Sequence, residues 1–175
     1  TNLGQVSYGI LLWRALLQWL GGIGIIVMAI AILPMLSIGG MQLFKTESYE
    51  TPDKIIPRAA IFASGISIVY IVLTSTWAFM LWFAGMPIFD SITHAMTTLA
   101  TGGYSTKSES LGAFNSVNIE MIIVFGMIVG SLPFIHYLSI LKNGWKNLIN
   151  DQQVKWFLLI LFFLISIVTF NLYMN

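Results

Sequence analysis

Four long apolar runs constrain this chain most, because each is long enough to cross a lipid bilayer as a helix. They lie at about 11–36, 57–84, 117–141 and 154–173, and a hydrocarbon core of roughly 30 Å requires about 20 apolar residues. Hydrophobic residues make up 57% of the chain and charged residues 9%, with a mean hydropathy of +0.85. These values predict an all-α integral membrane protein.

The charged residues and cysteines exclude several function classes. The formal net charge is +1 and there is no cysteine, so the sequence offers no basic surface for nucleic acid, no disulfide scaffold and no thiolate metal site. No nucleophile with a matching base, no pair of buried carboxylates and no Walker-type loop is visible. We therefore expect neither an enzyme nor a bound cofactor.

The N-terminus begins at Thr1 without an initiating Met. The first apolar run lacks the charged n-region and small-residue cleavage motif of a signal peptide, which predicts a membrane span. We expect the chain to be one piece of a longer polypeptide, although a processed or engineered N-terminus would have the same appearance.

The basic residues predict the membrane topology. Loops 37–56 and 142–153 and their flanks carry Lys and Arg, whereas 85–116 carries Lys107 alone. By the positive-inside rule, both basic loops face the cytoplasm. The first and third runs then cross inward, and the second and fourth cross outward. The basic residues are Lys45, Lys54, Arg58, Lys142, Lys146 and Lys155.

The segment between the second and third runs predicts a re-entrant pore loop. It opens at Met86-Pro87 and contains a half-apolar helix at about 89–100, which is too short to cross the membrane. Asp90 or Ser91 is expected to cap that helix. The negative end of its dipole would then point at a cation near the pore axis.

The residues after this helix are ordered like a potassium selectivity filter of the Thr-Val-Gly-Tyr-Gly type, which coordinates the ion with backbone carbonyls. We expect Thr101, Gly102 and Gly103 to bind K⁺, and Tyr104 to anchor the loop by pointing away from the pore. The alternative is an ordinary turn at the glycine pair; the short helix and the flanking apolar runs favour the filter. The predicted filter residues are Thr101, Gly102, Gly103, Tyr104 and Ser105, and the predicted pore-helix supports are Asp90, Thr97 and Thr98.

Glycines and prolines within the runs predict packing and bending. Gly21-Gly22-Ile23-Gly24 lies in an apolar run without a preceding strand, so close helix packing is a better interpretation than a phosphate loop. Gly126 and Gly130 indicate a helix contact, with a flexible gate as the alternative. Pro34 and Pro133 are expected to bend or end their helices.

Four ionisable residues lie near membrane depth. His94 and His136 are expected to hydrogen-bond neighbouring spans, because no second metal ligand stands at a suitable spacing. Arg14 and Glu120 are candidates for shaping the field of an outer vestibule, and interfacial snorkelling is the competing explanation for Arg14.

Several blocks of sequence resemble the Trk/Ktr/HKT superfamily of potassium uptake proteins, specifically the bacterial Trk-type membrane subunit. The blocks are residues 13–27, 39–44, 82–86, 89–92 and 101–106. The resemblance implies four helix–pore loop–helix repeats around a pseudo-fourfold pore in the bacterial inner membrane, each repeat contributing one filter strand. It also implies potassium as the substrate, a homodimer, and a cytoplasmic nucleotide-binding regulatory subunit, which Lys45, Lys54 and Arg58 would face.

On this resemblance the chain holds one complete repeat and parts of two others. Residues 1–36 would be the second helix of a preceding repeat, 37–56 a cytoplasmic loop, 57–141 the complete repeat, 142–153 a second loop, and 154–175 the first helix of a following repeat. Two alternatives remain: a non-conducting membrane scaffold or orphan fragment, and a cation channel assembled from four copies.

Overall fold

The computed structural model describes the backbone at residue 3 and over residues 6–36, 52–144 and 146–174, and it is helical without a strand in that part of the chain. The fold class therefore agrees with the sequence prediction. The helices are α1 (Tyr8–Leu36), α2 (Pro52–Phe83), α3 (Ile88–Leu99), α4 (Val117–Ser131), α5 (Phe134–Asn143), α6 (Lys146–Asn150) and α7 (Gln152–Met174), with a short 3-10 helix at Ser110–Phe114 before α4.

The chain divides into two compact units, residues 1–131 and residues 132–175. In the first unit α1, α2 and α4 all contact the short helix α3. Eight of the twelve residues of α3 are buried, including polar ones. This unit is therefore built around a short polar helix enclosed by long apolar ones.

Glycines allow two long helices to approach the end of α3 closely. A Cβ on Gly22 of α1 would lie 3.3 Å from the Ala100 Cβ, and one on Gly130 of α4 would lie 3.0 Å from the Leu99 carbonyl oxygen. A Cβ on Gly126 would collide with the Trp77 indole, whose Nε1–H donates to the Ile122 carbonyl at 3.0 Å. The predicted close packing thus occurs at Gly22, Gly126 and Gly130.

The neighbouring glycines Gly21 and Gly24 behave differently from Gly22. A Cβ at either position would meet nothing within 4 Å. Among the described residues, close packing is therefore observed at Gly22 and not at Gly21 or Gly24, because only one face of α1 turns towards α2 and α3.

Two expected helix boundaries were wrong. α2 begins at Pro52, inside the expected loop 37–56, since proline is compatible with the first turn of a helix. The expected run 117–141 is broken: α4 ends at Ser131 and α5 begins after Pro133, which has no N–H to continue the helix. Pro133 therefore ends a helix, as predicted.

Three described helices are apolar over a length that can cross a membrane, at Tyr8–Ile25, Ala63–Phe83 and Gln152–Met174. The fourth expected span corresponds to α4, whose 15 residues extend about 22 Å at 1.5 Å per residue. The break at Pro133 accounts for this difference.

The second unit contains α5, α6 and α7. Asp151 precedes α7, and its Oδ1 accepts hydrogen bonds from the backbone N–H groups of Gln153, at 2.7 Å, and Val154, at 3.4 Å. Its Oδ2 lies 3.5 Å from Nε2 of His136. Asp151 is thus the N-cap of α7, and His136 contacts this cap.

Candidate functional site: the short helix and the loop that follows it

The C-terminus of α3 ends in a Schellman motif whose left-handed residue is Thr101. The Thr101 N–H donates to the Thr98 carbonyl at 3.1 Å, and the Gly102 N–H donates to the Thr97 carbonyl at 2.8 Å. Thr101 has φ +54°, in a position that glycine usually occupies. A β-branched residue with positive φ is strained, which is frequent at functional sites.

A second left-handed residue follows within the loop. Gly103 has φ +69°, and a Cβ there would meet nothing within 4 Å. Gly103 is thus required by backbone conformation and not by lack of space. With two left-handed residues around Gly102, residues 101–103 continue neither a helix nor a strand.

The N-terminus of α3 is tied to the chain beyond the loop through Asp90. Its buried carboxylate accepts a 2.6 Å hydrogen bond from the Thr106 hydroxyl and lies 3.2 Å from the Lys107 ammonium. No side-chain bond caps α3; Ser91 instead donates to the Met86 and Pro87 carbonyls. The expectation that Asp90 or Ser91 caps this helix was wrong, because both side chains have other partners.

His94 connects the middle of α3 to the same loop. Its Nδ1 lies 2.8 Å from the Asp90 carbonyl oxygen, which can only accept, so Nδ1 is the protonated nitrogen. Its Nε2 lies 3.0 Å from the Ser105 hydroxyl, which accepts the Lys107 N–H at 3.1 Å. The Ser105 hydroxyl is therefore free to donate to Nε2. The expectation that His94 bonds a neighbouring span was wrong, since its partners lie on α3 and in the loop.

Thr97 completes a row of three contacts. Its hydroxyl lies 2.9 Å from the Tyr104 carbonyl and 3.2 Å from the His94 carbonyl, both of which it can reach as donor. Asp90, His94 and Thr97 are spaced i, i+4 and i+7, which places them on one face of α3. They contact residues 106, 105 and 104 in that order, so the loop runs antiparallel to the helix and is fastened along its length.

The residues expected to bind the ion remain accessible. Thr101, Gly102 and Gly103 are exposed, whereas Tyr104 and Ser105 are partly buried. A cavity of about 280 Å³ lies beside the loop. It is lined by α3 and α4 side chains, including Thr98 and Ser131, and by Thr101 and Gly103.

The carbonyls of the loop fall into two groups. Those of Gly102 and Tyr104 accept hydrogen bonds from the Gln18 amide, at 3.4 Å, and from Thr97, at 2.9 Å. Within the described part of the chain no donor contacts the carbonyls of Thr101 and Gly103. Irregular backbone with free carbonyls is tolerated at membrane depth where it borders a cavity or an ion.

The structure thus brings the predicted filter residues and the predicted supports together, with Thr98 packed against Gly126. Among the described side chains no cluster of three His, Asp, Glu or Cys could hold a metal ion. Sequence reasoning missed the contacts of His94 and Gln18 with the loop and those of Thr106 and Lys107 with Asp90. The i, i+4, i+7 spacing of Asp90, His94 and Thr97 was the available signal for the polar face.

Arg14 and Glu120 have different surroundings. The Arg14 guanidinium lies over the Tyr104 ring, 4.3 Å from its centroid, so Arg14 is directed at the loop and not only at the membrane interface. Glu120 lies exposed in the first turn of α4.

A family model described as TrkH, a cation transport protein, matches residues 1–175. The chain belongs to the TrkH family. Among its relatives, this TrkH-family chain is 42% identical to the Trk system potassium uptake protein TrkI of Halomonas elongata, over 96% of this chain and 34% of that protein. It is 39% identical to the Trk system potassium uptake protein TrkH of Escherichia coli, over 99% of this chain and 37% of that protein.

The fold is also similar to that of a solved structure. The crystal structure of the potassium transporter TrkH from Vibrio parahaemolyticus matches with a TM-score of 0.76 at 36% identity, covering 93% of this chain and 33% of that chain. The TrkH-family chain spans about a third of the length of the relatives it matches. Three of its described helices are long and apolar enough to cross a membrane, which agrees with its membership of this cation transport family.

Proposed function

We propose that this chain is part of a potassium uptake protein and contributes one strand of its selectivity filter, residues 101–105. The observation that carries the proposal is the backbone at Thr101 and Gly103. Both residues are left-handed and exposed, and their carbonyls lack a donor in the described structure. Such oxygens can replace the hydration shell of a potassium ion.

The location of these oxygens supports the same function. They follow the C-terminus of a 12-residue helix, where the helix dipole carries about half a negative charge. The row of hydrogen bonds from residues 104 to 106 holds the loop against α3 and so helps to position the free carbonyls. The names of the relatives, Trk system potassium uptake proteins, agree with potassium as the substrate.

We also propose that further repeats of one polypeptide complete the pore, that the protein forms a homodimer, and that it binds a cytoplasmic nucleotide-binding regulatory subunit. The family resemblance supports these partners. Lys45 and the side chains of Lys54 and Arg58, which would face the regulatory subunit, lie outside the described residues. Retention of the regulatory subunit after all three are neutralised would refute this assignment.

The function can be tested in a hybrid in which this chain replaces the matched segment of Escherichia coli TrkH. We expect the hybrid to restore potassium uptake in cells lacking their own uptake systems, and Gly103→Ser to lower the potassium-to-sodium selectivity about tenfold, because a Cβ opposes the left-handed backbone. A hybrid that reaches the membrane but takes up no potassium contradicts the proposal.

Two control substitutions separate filter effects from strain. Gly85→Ser places the same side chain on a positive φ, +98°, away from the filter, and Gly112→Ser places it in open space on the 3-10 helix Ser110–Phe114, with ordinary φ. Both should leave selectivity unchanged. The 175-residue chain reconstituted alone in liposomes completes the test, since potassium-selective current from it would show that four copies assemble and that further repeats are unnecessary.

A further inference from the structure

Two side chains of α1, one helical turn apart, contact the loop that follows α3. The Gln18 amide nitrogen donates to the Gly102 carbonyl at 3.4 Å, and the Arg14 guanidinium lies 4.3 Å from the centroid of the Tyr104 ring. Positions i and i+4 share one face of a helix. α1 thus reaches two neighbouring loop residues with two different kinds of contact.

The fit between Gln18 and Gly102 is tight. A Cβ on Gly102 would collide with the Gln18 Oε1 and would lie 2.6 Å from its Cδ. A Cβ at position 102 would therefore displace the Gln18 amide, the mobile end of a long side chain, although the φ of Gly102, unlike that of Gly103, is not positive. A side chain at position 102 would thus disturb the contact with Gln18, whereas a side chain at position 103 would oppose the left-handed backbone.

The position of the Gln18 amide also lowers the stability of the fold. Its Oε1 is buried, and no partner for it occurs among the described residues. An unsatisfied buried acceptor is destabilising, so folding stability alone does not explain a glutamine here. The amide nitrogen contacts a filter carbonyl, which gives the side chain a role in the geometry of the loop.

Arg14 holds the Tyr104 ring in a comparable way. The Tyr104 hydroxyl is buried and has no hydrogen-bond partner in the described structure, so the hydroxyl does not fix the ring. The planar guanidinium can stack on the ring as a cation–π contact. Thr97 fixes the carbonyl of the same residue from the other side.

We propose that Gln18 and Arg14 of α1 are positioning residues for the filter. They set its ion selectivity although they lie outside α3 and the loop that follows it. The pore helix fixes residues 104–106, and α1 fixes the Gly102 carbonyl and the Tyr104 ring. A carbonyl oxygen has two lone pairs, so the Gly102 oxygen can accept from Gln18 and still face a cation. This inference rests on the proposed function of residues 101–105.

The test uses the hybrid transporter and measures the potassium-to-sodium uptake ratio. Gln18→Leu should lower the ratio at least about threefold, as for a weak hydrogen bond that fixes one ligand, and Arg14→Lys, which keeps the charge but loses the planar stacking, should lower it less. Gln153→Leu, the same change at an exposed glutamine of α7, should leave the ratio unchanged.

A second variant keeps the test possible if the first one misfolds. If Gln18→Leu does not accumulate in the membrane, Gln18→Met keeps the length of the side chain without the amide and should give the same threefold loss in folded protein. An unchanged ratio in folded Gln18→Met or Gln18→Leu protein, with Gly103→Ser still lowering selectivity, overturns the inference and leaves the proposed function standing. If Gly103→Ser also has no effect, the proposed function itself fails.

Discussion

The helices α3 and α7 differ in length, in burial and in the polarity of their side chains. α3 has 12 residues, of which eight are buried, and its polar side chains have partners inside the first unit. α7 has 23 residues, is apolar over its membrane-spanning length, and has Val154 as its one buried residue.

The difference teaches where polarity can be placed in such a chain. A buried hydroxyl, imidazole or carboxylate needs a partner, and the loop beyond α3 supplies one for each member of its polar face. The apolar side chains of α7 carry no hydrogen-bonding group and need no such partner. Polar residues at membrane depth are therefore concentrated where the loop can pair with them.

The largest effect should come from filling the closest contact around α3. Gly126→Leu drives a side chain into Trp77 and Thr98 and should reduce the free energy of unfolding by about 3 kcal/mol. Denaturant titration of the chain in detergent, followed by Trp fluorescence, measures this. Gly9→Leu, in open space on α1, is the matched control, and equal losses in both variants would contradict the close contact.

Replacing the buried carboxylate of Asp90 should cause the second largest loss of stability. Asp90→Asn removes the ion pair with Lys107 and weakens the bond from Thr106, with an expected loss of about 2 kcal/mol. Asp151→Asn at the start of α7 keeps a good N-cap residue and should change stability little in the same titration. A larger loss of stability in Asp151→Asn than in Asp90→Asn would contradict the view that buried polar contacts matter more at α3 than at α7.

The hydroxyl of Thr97 should have a smaller effect. Thr97→Val keeps the shape but leaves the Tyr104 carbonyl without its donor, at about 1 kcal/mol. Thr76 donates to its own helix on an exposed surface, so Thr76→Val should be nearly neutral. Similar stabilities of the two variants would show that the Thr97 contact does not fasten the loop.

The smallest expected change in stability is a gain, at Thr101. Thr101→Gly relieves a left-handed threonine and should stabilise the chain by about 0.5 kcal/mol. Potassium uptake by the hybrid should fall, because we expect the Thr101 hydroxyl to coordinate the ion beside the Thr101 carbonyl. Ser110→Gly, at another left-handed position with φ +56°, should give the same gain without the loss of uptake. Unchanged uptake by Thr101→Gly would remove the Thr101 hydroxyl from the site.

Much of the fold follows from the sequence because it depends on length and on local chemistry. Apolar runs of 20 residues predict membrane helices, and the short helix at about 89–100 lies within one residue of α3. Pro133 ends α4 because it lacks an N–H. The order Thr101 to Ser105 identified the candidate filter, although its role in ion binding stays a prediction.

The partners of individual side chains could not be predicted, because they depend on how the chain returns on itself. Asp90 looked like a helix cap, yet it bonds Thr106 and Lys107, some sixteen residues away. His94 looked like a link between spans, yet its imidazole lies against Ser105. Asp90 and His94 both lie on α3. Their partners come close only because the chain reverses its direction at Thr101.

By itself, the sequence determined the membrane class, the short helix and the position of the candidate filter segment, since each depends on the hydrophobicity or conformational freedom of consecutive residues. Only the tertiary structure decided which carbonyls of that segment are held and which are free. Gln18 and Gly102 are 84 positions apart, and no local property of either residue predicts their contact. The packing of α1 against α3 makes it, because Gly22 lets the two helices approach.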